Sequence, residues 1–146
     1  MRHRWIEGAI SWQVLERWVG ELTRDRNTGA VQLFLGQVRA DVVEEKVVRS
    51  IIYSCYRELA DKVMDRILQE ARTRFDLQAV GVLHSVGEVE VGRWSIAVCC
   101  CAAHRKSMME GVRWIMDRIK VEVPIFGREI FVEEGYRWKQ SEVHRS

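Results

Sequence analysis

The chain contains a single proline, Pro124, and it follows a long amphipathic run. A proline ring clashes with the preceding helical turn and offers no N–H, so a helix cannot continue through it. The helix before Pro124 must therefore stop, and Lys120-Val-Glu-Val-Pro124-Ile-Phe-Gly-Arg128-Glu129 must turn a corner into extended chain. Lys120 falls in the last turn, where the helix dipole favours a cation. Taken alone it reads as a solvated helix-end lysine. An amine held at a fixed corner could also act on an anionic or acyl substrate.

The rest of the chain divides by hydrophobic period. Ser11 is a plausible N-cap, and Trp12, Leu15, Val19 and Leu22 follow at helical spacing. Residues 23–29 read as a polar loop. Ala30 to Val38 alternates as a strand, with Val31, Leu33 and Leu35 on one face. Arg39 to Lys46 reads as a charged mobile loop. Val47 to Tyr56 is a second strand, rich in β-branched and aromatic residues. Leu59, Val63, Met64, Ile67, Leu68, Ala71 and Phe75 form the clearest helical stripe. Ala79 to Val86 is a strand, with Gly87 and Gly92 read as turns. Trp94 to Ala102 is an apolar strand buried on both faces. His104 to Lys120 is a third helix, with Met109, Val112, Ile115, Met116 and Ile119 on its apolar side. Pro124 to Val132 and Tyr136 to Lys139 close the chain as strands. Helices inserted irregularly between strands predict an α+β fold with three main helices, not a doubly wound parallel sheet.

A length of 146 residues fits one domain, 1–146, with a real core. No apolar run approaches the ~20 residues of a membrane span, and the first residues lack a signal peptide's apolar stretch. Cys99, Cys100 and Cys101 are consecutive, which suits neither a disulfide framework nor a zinc site. On a strand Cys100 points opposite to its neighbours. With Cys55 they read as small hydrophobes in a reducing cytoplasm. A net charge of +2 gives no ground for bulk nucleic-acid binding. The six tryptophans read as core and interface anchors, not a base-stacking platform. No metal-ligand spacing and no glycine-rich phosphate loop appear, so no cofactor is expected. His84 reads as a core histidine, and His3 and His144 as solvated.

Four positive groups lie at the ends of predicted elements: Arg39, the His104-Arg105 pair, Lys120 and Arg128. Each alone reads as a surface cation; together they suggest an anion site. Arg105 and Lys120 are 15 residues apart on one helix, roughly 22 Å of rise. They converge only if a second copy brings one end to the other, as a symmetric dimer does. Neighbouring cations favour the free amine of a lysine, which makes it a nucleophile or proton carrier. Arg128 and an Arg105 from a second chain would provide them. Arg39 and Arg105 could grip a phosphate or carboxylate with paired N–H donors. Met116, one turn before Lys120, would wall an apolar slot or simply join the core.

These segments resemble the large, catalytic subunit of molybdopterin synthase. The similarity is carried in order by Gly29-Ala30-Val31-Gln32-Leu33-Phe34-Leu35-Gly36-Gln37-Val38-Arg39, Tyr53-Ser54-Cys55-Tyr56-Arg57-Glu58-Leu59-Ala60, and His84-Ser85-Val86-Gly87-Glu88-Val89. It continues with His104-Arg105, Ile115-Met116-Asp117, Lys120, Pro124-Ile125-Phe126 and Gly135-Tyr136-Arg137-Trp138. The resemblance implies an α/β hammerhead fold with a mixed, mainly antiparallel sheet, and a homodimer. It implies a small ubiquitin-like sulfur-carrier subunit at each end, making a heterotetramer. The carrier's C-terminal thiocarboxylate would enter beside Lys120. Two sulfurs would pass to cyclic pyranopterin monophosphate (precursor Z), forming the dithiolene of molybdopterin. Lys120 matches the family's essential lysine, His104 and Arg105 the pair reaching across the dimer, and Arg39 a substrate-pocket arginine. Phe34, Pro124 and Phe126 are the expected carrier contacts. The chain departs from the family pattern at Ser54, Ser85 and Gly127, where a glutamate, an arginine and a second lysine are usual. Those departures motivate an alternative, a dimeric scaffold that binds a ubiquitin-like tail without turnover.

Overall fold

A computed structural model describes residues 2–133 and 135–139. The elements run β1 (Arg2–Glu7), α1 (Trp12–Leu22), β2 (Ala30–Gln37), β3 (Val42–Val43), β4 (Lys46–Cys55), α2 (Arg57–Arg74), β5 (Ala79–Glu90), β6 (Trp94–Ala102), α3 (Arg105–Glu122), β7 (Ile125–Phe131) and β8 (Tyr136–Trp138). The sheet order is β2-β6-β5-β4-β7-β8, with β1 on β5 and β3 on β4. Every pairing is antiparallel except β1 with β5. The result is the expected mixed α+β sheet with three helices.

β5 and β6 are the spine, and their pleat explains the layers. Ile96, Val98, Cys100 and Ala102 of β6 join one core cluster, together with α2 and α3. Ala97, Cys99 and Cys101 join a second cluster on the opposite face, with Leu15, Trp18 and Leu22 of α1. This is the period-two alternation of a strand covered on both sides. The three cysteines are thus small core residues on alternate faces. Burial pushes the Cys100 thiol up to about 12, so it stays protonated and inert.

β5 runs to Glu90, through the expected turn at Gly87. Its edge changes partner there: β1 pairs along Gly81–Val86, and β4 takes over from Gly87 to Glu90. Gly87 has φ +82°, and a Cβ on it would lie 2.4 Å from a Glu7 carboxylate oxygen. The glycine therefore marks a branch in the sheet, from which β4, β7 and β8 continue. A third cluster, of Val38, Val48, Ile51, Val89 and Phe131, fills this second branch.

Other expectations change for local reasons. The loop at 39–46 contains a hairpin: Val43 pairs with Lys46 across Glu44 and Glu45, both at positive φ. Trp18, not Trp12, anchors α1 in the core; Trp12 is exposed and packs edge-on against Trp94. Val31 and Leu33 are exposed because β2 pairs only with β6 and forms the rim of the sheet. Leu59 and Met109 lie on the exposed sides of their helices, and Met108 takes the core position in α3.

His3 is not solvated. It lies on β1, and its Nε2 sits 2.8 Å from Asp61 of α2, which also accepts from the Trp5 indole at 2.6 Å. His144 lies outside the described residues. His84 is a core histidine, as expected: Nδ1 is 2.8 Å from the Ser85 carbonyl, and burial pushes its pKa down to about 4.

Candidate functional site

The corner at Pro124 forms as the sequence requires. α3 ends at Glu122, one half-turn later than expected, with Lys120 exposed in its last turn. Val123 is extended and Pro124 follows. The Pro124 carbonyl accepts the Tyr56 amide at 3.2 Å, which pins the corner to the junction of β4 and α2. β7 then leaves alongside β4, with Ile125 opposite Cys55 and Gly127 opposite Tyr53. Phe126 is 42 % exposed, and its ring meets Tyr56 edge-on at 5.4 Å. Pro124, Phe126 and Tyr56 thus meet at one corner, an exposed aromatic wall that follows the helix end carrying Lys120. Tyr56 was legible only as part of a strand-to-helix junction; its position opposite Phe126 depends on the β4–β7 register.

Arg39 and Phe34 come from β2. β2 is antiparallel to β6, and α3 returns along β6 after the turn at 103–104, so β2 and α3 finish at the same end of the sheet. Arg39 lies just beyond β2, is 72 % exposed and forms a 3.4 Å ion pair with Asp41. Phe34 is partly exposed on the rim strand. His104 and Arg105 occupy the opposite end of α3, both exposed, with His104 at the N-cap position and making no side-chain cap. The roughly 22 Å of helix between Arg105 and Lys120 holds. Within one chain they form no common site. Met116 packs against the main core cluster.

Arg128 lies two residues beyond Phe126 on the same face of β7. Its guanidinium stacks over Tyr136 at 4.9 Å and Trp138 at 6.0 Å, a geometry that holds a cation by the ring quadrupoles. Gly127 is closely packed: a Cβ there would lie 3.0 Å from Ile51 and 3.5 Å from the Tyr53 ring. The Tyr53 hydroxyl donates to Ser95 at 3.1 Å, and burial first of all raises its pKa. A shallow cleft lined by Arg49, Ser50, Glu88 and Glu90 lies elsewhere and contains none of the expected site residues. Among the described residues no cluster of three or more His, Cys, Asp or Glu side chains could hold a metal.

The fold recurs in solved structures. It superimposes on molybdopterin synthase from Staphylococcus aureus with a TM-score of 0.82, at 24% identity, covering 93% of this chain and 95% of the other. It matches a complex of subunits 1 and 2 of the molybdopterin-converting factor from Helicobacter pylori with a TM-score of 0.80, at 19% identity, over 96% and 91% of the two chains. The chain therefore shares its fold with these two solved structures.

Sequence comparison carries the assignment further. The MoaE protein family matches residues 10–122. The molybdopterin synthase catalytic subunit of Pyrococcus abyssi is 38% identical over 123 residues, covering 84% of this chain and 82% of that protein. The subunit of the same name from Culex quinquefasciatus is 35% identical, covering 84% and 80%. The chain belongs to the MoaE family, whose curated members matched here are molybdopterin synthase catalytic subunits.

Proposed function

We propose that this chain is the sulfur-transferring catalytic subunit of a molybdopterin synthase and that Lys120 is its reactive amine or acid–base group. The substrate is cyclic pyranopterin monophosphate, and the sulfur comes from the C-terminal thiocarboxylate of a small ubiquitin-like carrier. Family membership supports the reaction, and the observation that carries the assignment of Lys120 is its position. It is exposed in the last turn of α3, one turn before the Pro124 corner, and the chain beyond that corner carries the exposed Phe126, which meets Tyr56 edge-on. An extended carrier tail needs an open apolar approach ending at a cation, and this corner offers both. The Helicobacter pylori relative is a complex of two subunits, which supports a carrier partner for this chain. Phe126, Pro124 and Phe34 are its contacts.

Both ligands are anionic, the carrier through its thiocarboxylate and the pterin through its phosphate, so the site needs several positive charges. Arg39 reaches it from the same end of the sheet. His104 and Arg105 reach it only from a second copy of the chain, in a homodimer. The four cysteines are free, which fits a reducing cytoplasmic setting; among the described residues no helix is long and apolar enough to cross a membrane.

The test is conversion of precursor to molybdopterin with thiocarboxylated carrier. Lys120→Ala should reduce turnover by about a hundredfold or more, the scale of a lost acid–base or nucleophilic group, while the dimer persists on gel filtration. Full activity in that variant sinks the assignment. Carrier binding without product in the wild-type chain would favour the scaffold reading instead.

A further inference from the structure

We infer that the outer edge of β2 is a two-fold seam between two copies of this chain, and that the seam delivers Arg105 of one copy to Lys120 of the other. The seam follows from the geometry of one chain; its part in a shared site rests on the synthase reading above. β2 is the rim of the sheet and, among the described residues, pairs only with β6. An open strand edge is normally guarded by charge, proline, a bulge or a covering element. Ala30–Leu35 contains no charge and no proline, and the irregularity in its ladder with β6 comes later, between Gly36 and Gln37. Val31 and Leu33 are exposed on one face of this strand. Such an edge is a template for another strand.

The helix above the rim selects a second copy as the occupant. α3 packs on β6 and β2, whereas α2 packs on β5 and β1. One side of α3 meets α2, through Trp114 against Phe75 and Arg118 against Glu70. Arg105, Met109, Arg113, Met116 and Lys120 recur on the other side at helical spacing, and Met109 is exposed. Arg113 has Asp117 four residues on, a spacing at which opposite charges offset one another. The stripe is symmetric: Arg105 with Lys120, and Met109 with Met116, share a midpoint between Val112 and Arg113. That midpoint lies over the middle of β2, because a Cβ on Gly111 would lie 3.7 Å from Cys100 Sγ and Cys100 pairs with Gln32. A two-fold axis normal to the sheet at Leu33 runs two β2 strands antiparallel, with two antiparallel α3 helices on one face. Strands lie ~4.8 Å apart, which sets the helix axes about 10 Å apart, the separation of packed helices. α3 starts just beyond Ala102, the pairing partner of Ala30, and returns toward the Gln37 end of β2. The partner's Ala30 end lies beside this chain's Gln37 end, so the partner's Arg105 comes to Lys120 and the partner's Met116 to Met109. A strand of any other chain gains the edge pairing without this match.

Sedimentation of the intact chain tests the seam. Wild type should run at twice 17.1 kDa. Leu33→Glu and Leu33→Lys should each be monomeric, because like charges then oppose one another across the axis. An equimolar mixture of the two variants should recover the dimer and, with thiocarboxylated carrier, the turnover that each lacks alone. Val42→Glu, at an exposed valine on β3 away from the rim, should stay dimeric. A monomeric wild type, a dimeric Leu33→Glu or Leu33→Lys, or a mixture that stays monomeric overturns the inference, and so does loss of the dimer in Val42→Glu. Where wild type is active, a mixture that recovers the dimer without turnover overturns the delivery of Arg105 to Lys120. If wild type is a dimer that makes no product while the mixture still recovers the dimer, the synthase reading has failed and the seam stands.

Discussion

His84 shows how a single residue can carry a functional-looking identity and a structural role. It is 7 % exposed in β5, between the rings of Trp5 at 5.9 Å and Tyr53 at 5.2 Å. Burial lowers its pKa to about 4, against the opposing pull of the Ser85 carbonyl. The sign of the consequence follows from linkage. Between about pH 6.5 and pH 4 the unfolded chain binds a proton that the folded chain refuses, so acid favours unfolding. Stability from this group is constant above pH 6.5 and falls as pH drops through that window. At pH 5 the loss is about 2 kcal/mol. Urea denaturation at pH 7.5 and pH 5 measures it, and His84→Gln should show a correspondingly smaller drop. Equal drops in the two proteins would refute the assignment. Sequence placed His84 in an apolar strand, which was enough to read it as core. Gly127 was harder, because nothing local shows that Ile51 and Tyr53 lie across from it.

At the scale of elements, legibility followed apolar content. β6 and α2 were read with nearly the observed bounds, because β6 is a continuous, almost wholly apolar run and the buried residues of α2 recur at helical period. β1 was missed altogether. Its sequence, Arg2-His-Arg-Trp-Ile-Glu7, alternates, but His3 and Trp5 on the α2-facing side carry polar tips. Those tips are satisfied by Asp61, 56 and 58 residues away, a partner that only the fold supplies. Burial disfavours the Asp61 carboxylate, but hydrogen bonds from Trp5 and His3 outweigh it and lower its pKa. Arg57 adds a cation 5.4 Å from the Trp5 ring centroid. Asp61 therefore clasps β1 to the start of α2. Asp61→Ala should leave the Trp5 N–H without its acceptor and cost about 1–2 kcal/mol. Hydrogen exchange should show β1 amides opening earlier, with α1 protection unchanged. If β1 protection in the variant equals wild type, the clasp contributes nothing.

The whole molecule poses the question that one chain cannot answer, because α3 separates Lys120 from Arg105 by roughly 22 Å. The sequence already carried that conflict, since helix rise is fixed by residue number. What it could not show was the environment of each end. Lys120 stands at a corner with exposed Phe126 and Tyr56, whereas His104 and Arg105 stand at an exposed N-terminus with no cap bond. If each site takes Lys120 from one copy and Arg105 from the other, inactive variants should complement. Lys120→Ala and Arg105→Ala homodimers each have two broken sites. A mixed dimer has one site carrying both substitutions and one site carrying neither. Random exchange of subunits should then restore about a quarter of wild-type activity, from half of the dimers with one good site each. Mixing after denaturation and refolding, with turnover measured against the unmixed variants, tests this. If both residues instead served one chain's own site, every dimer in the mixture would stay inactive.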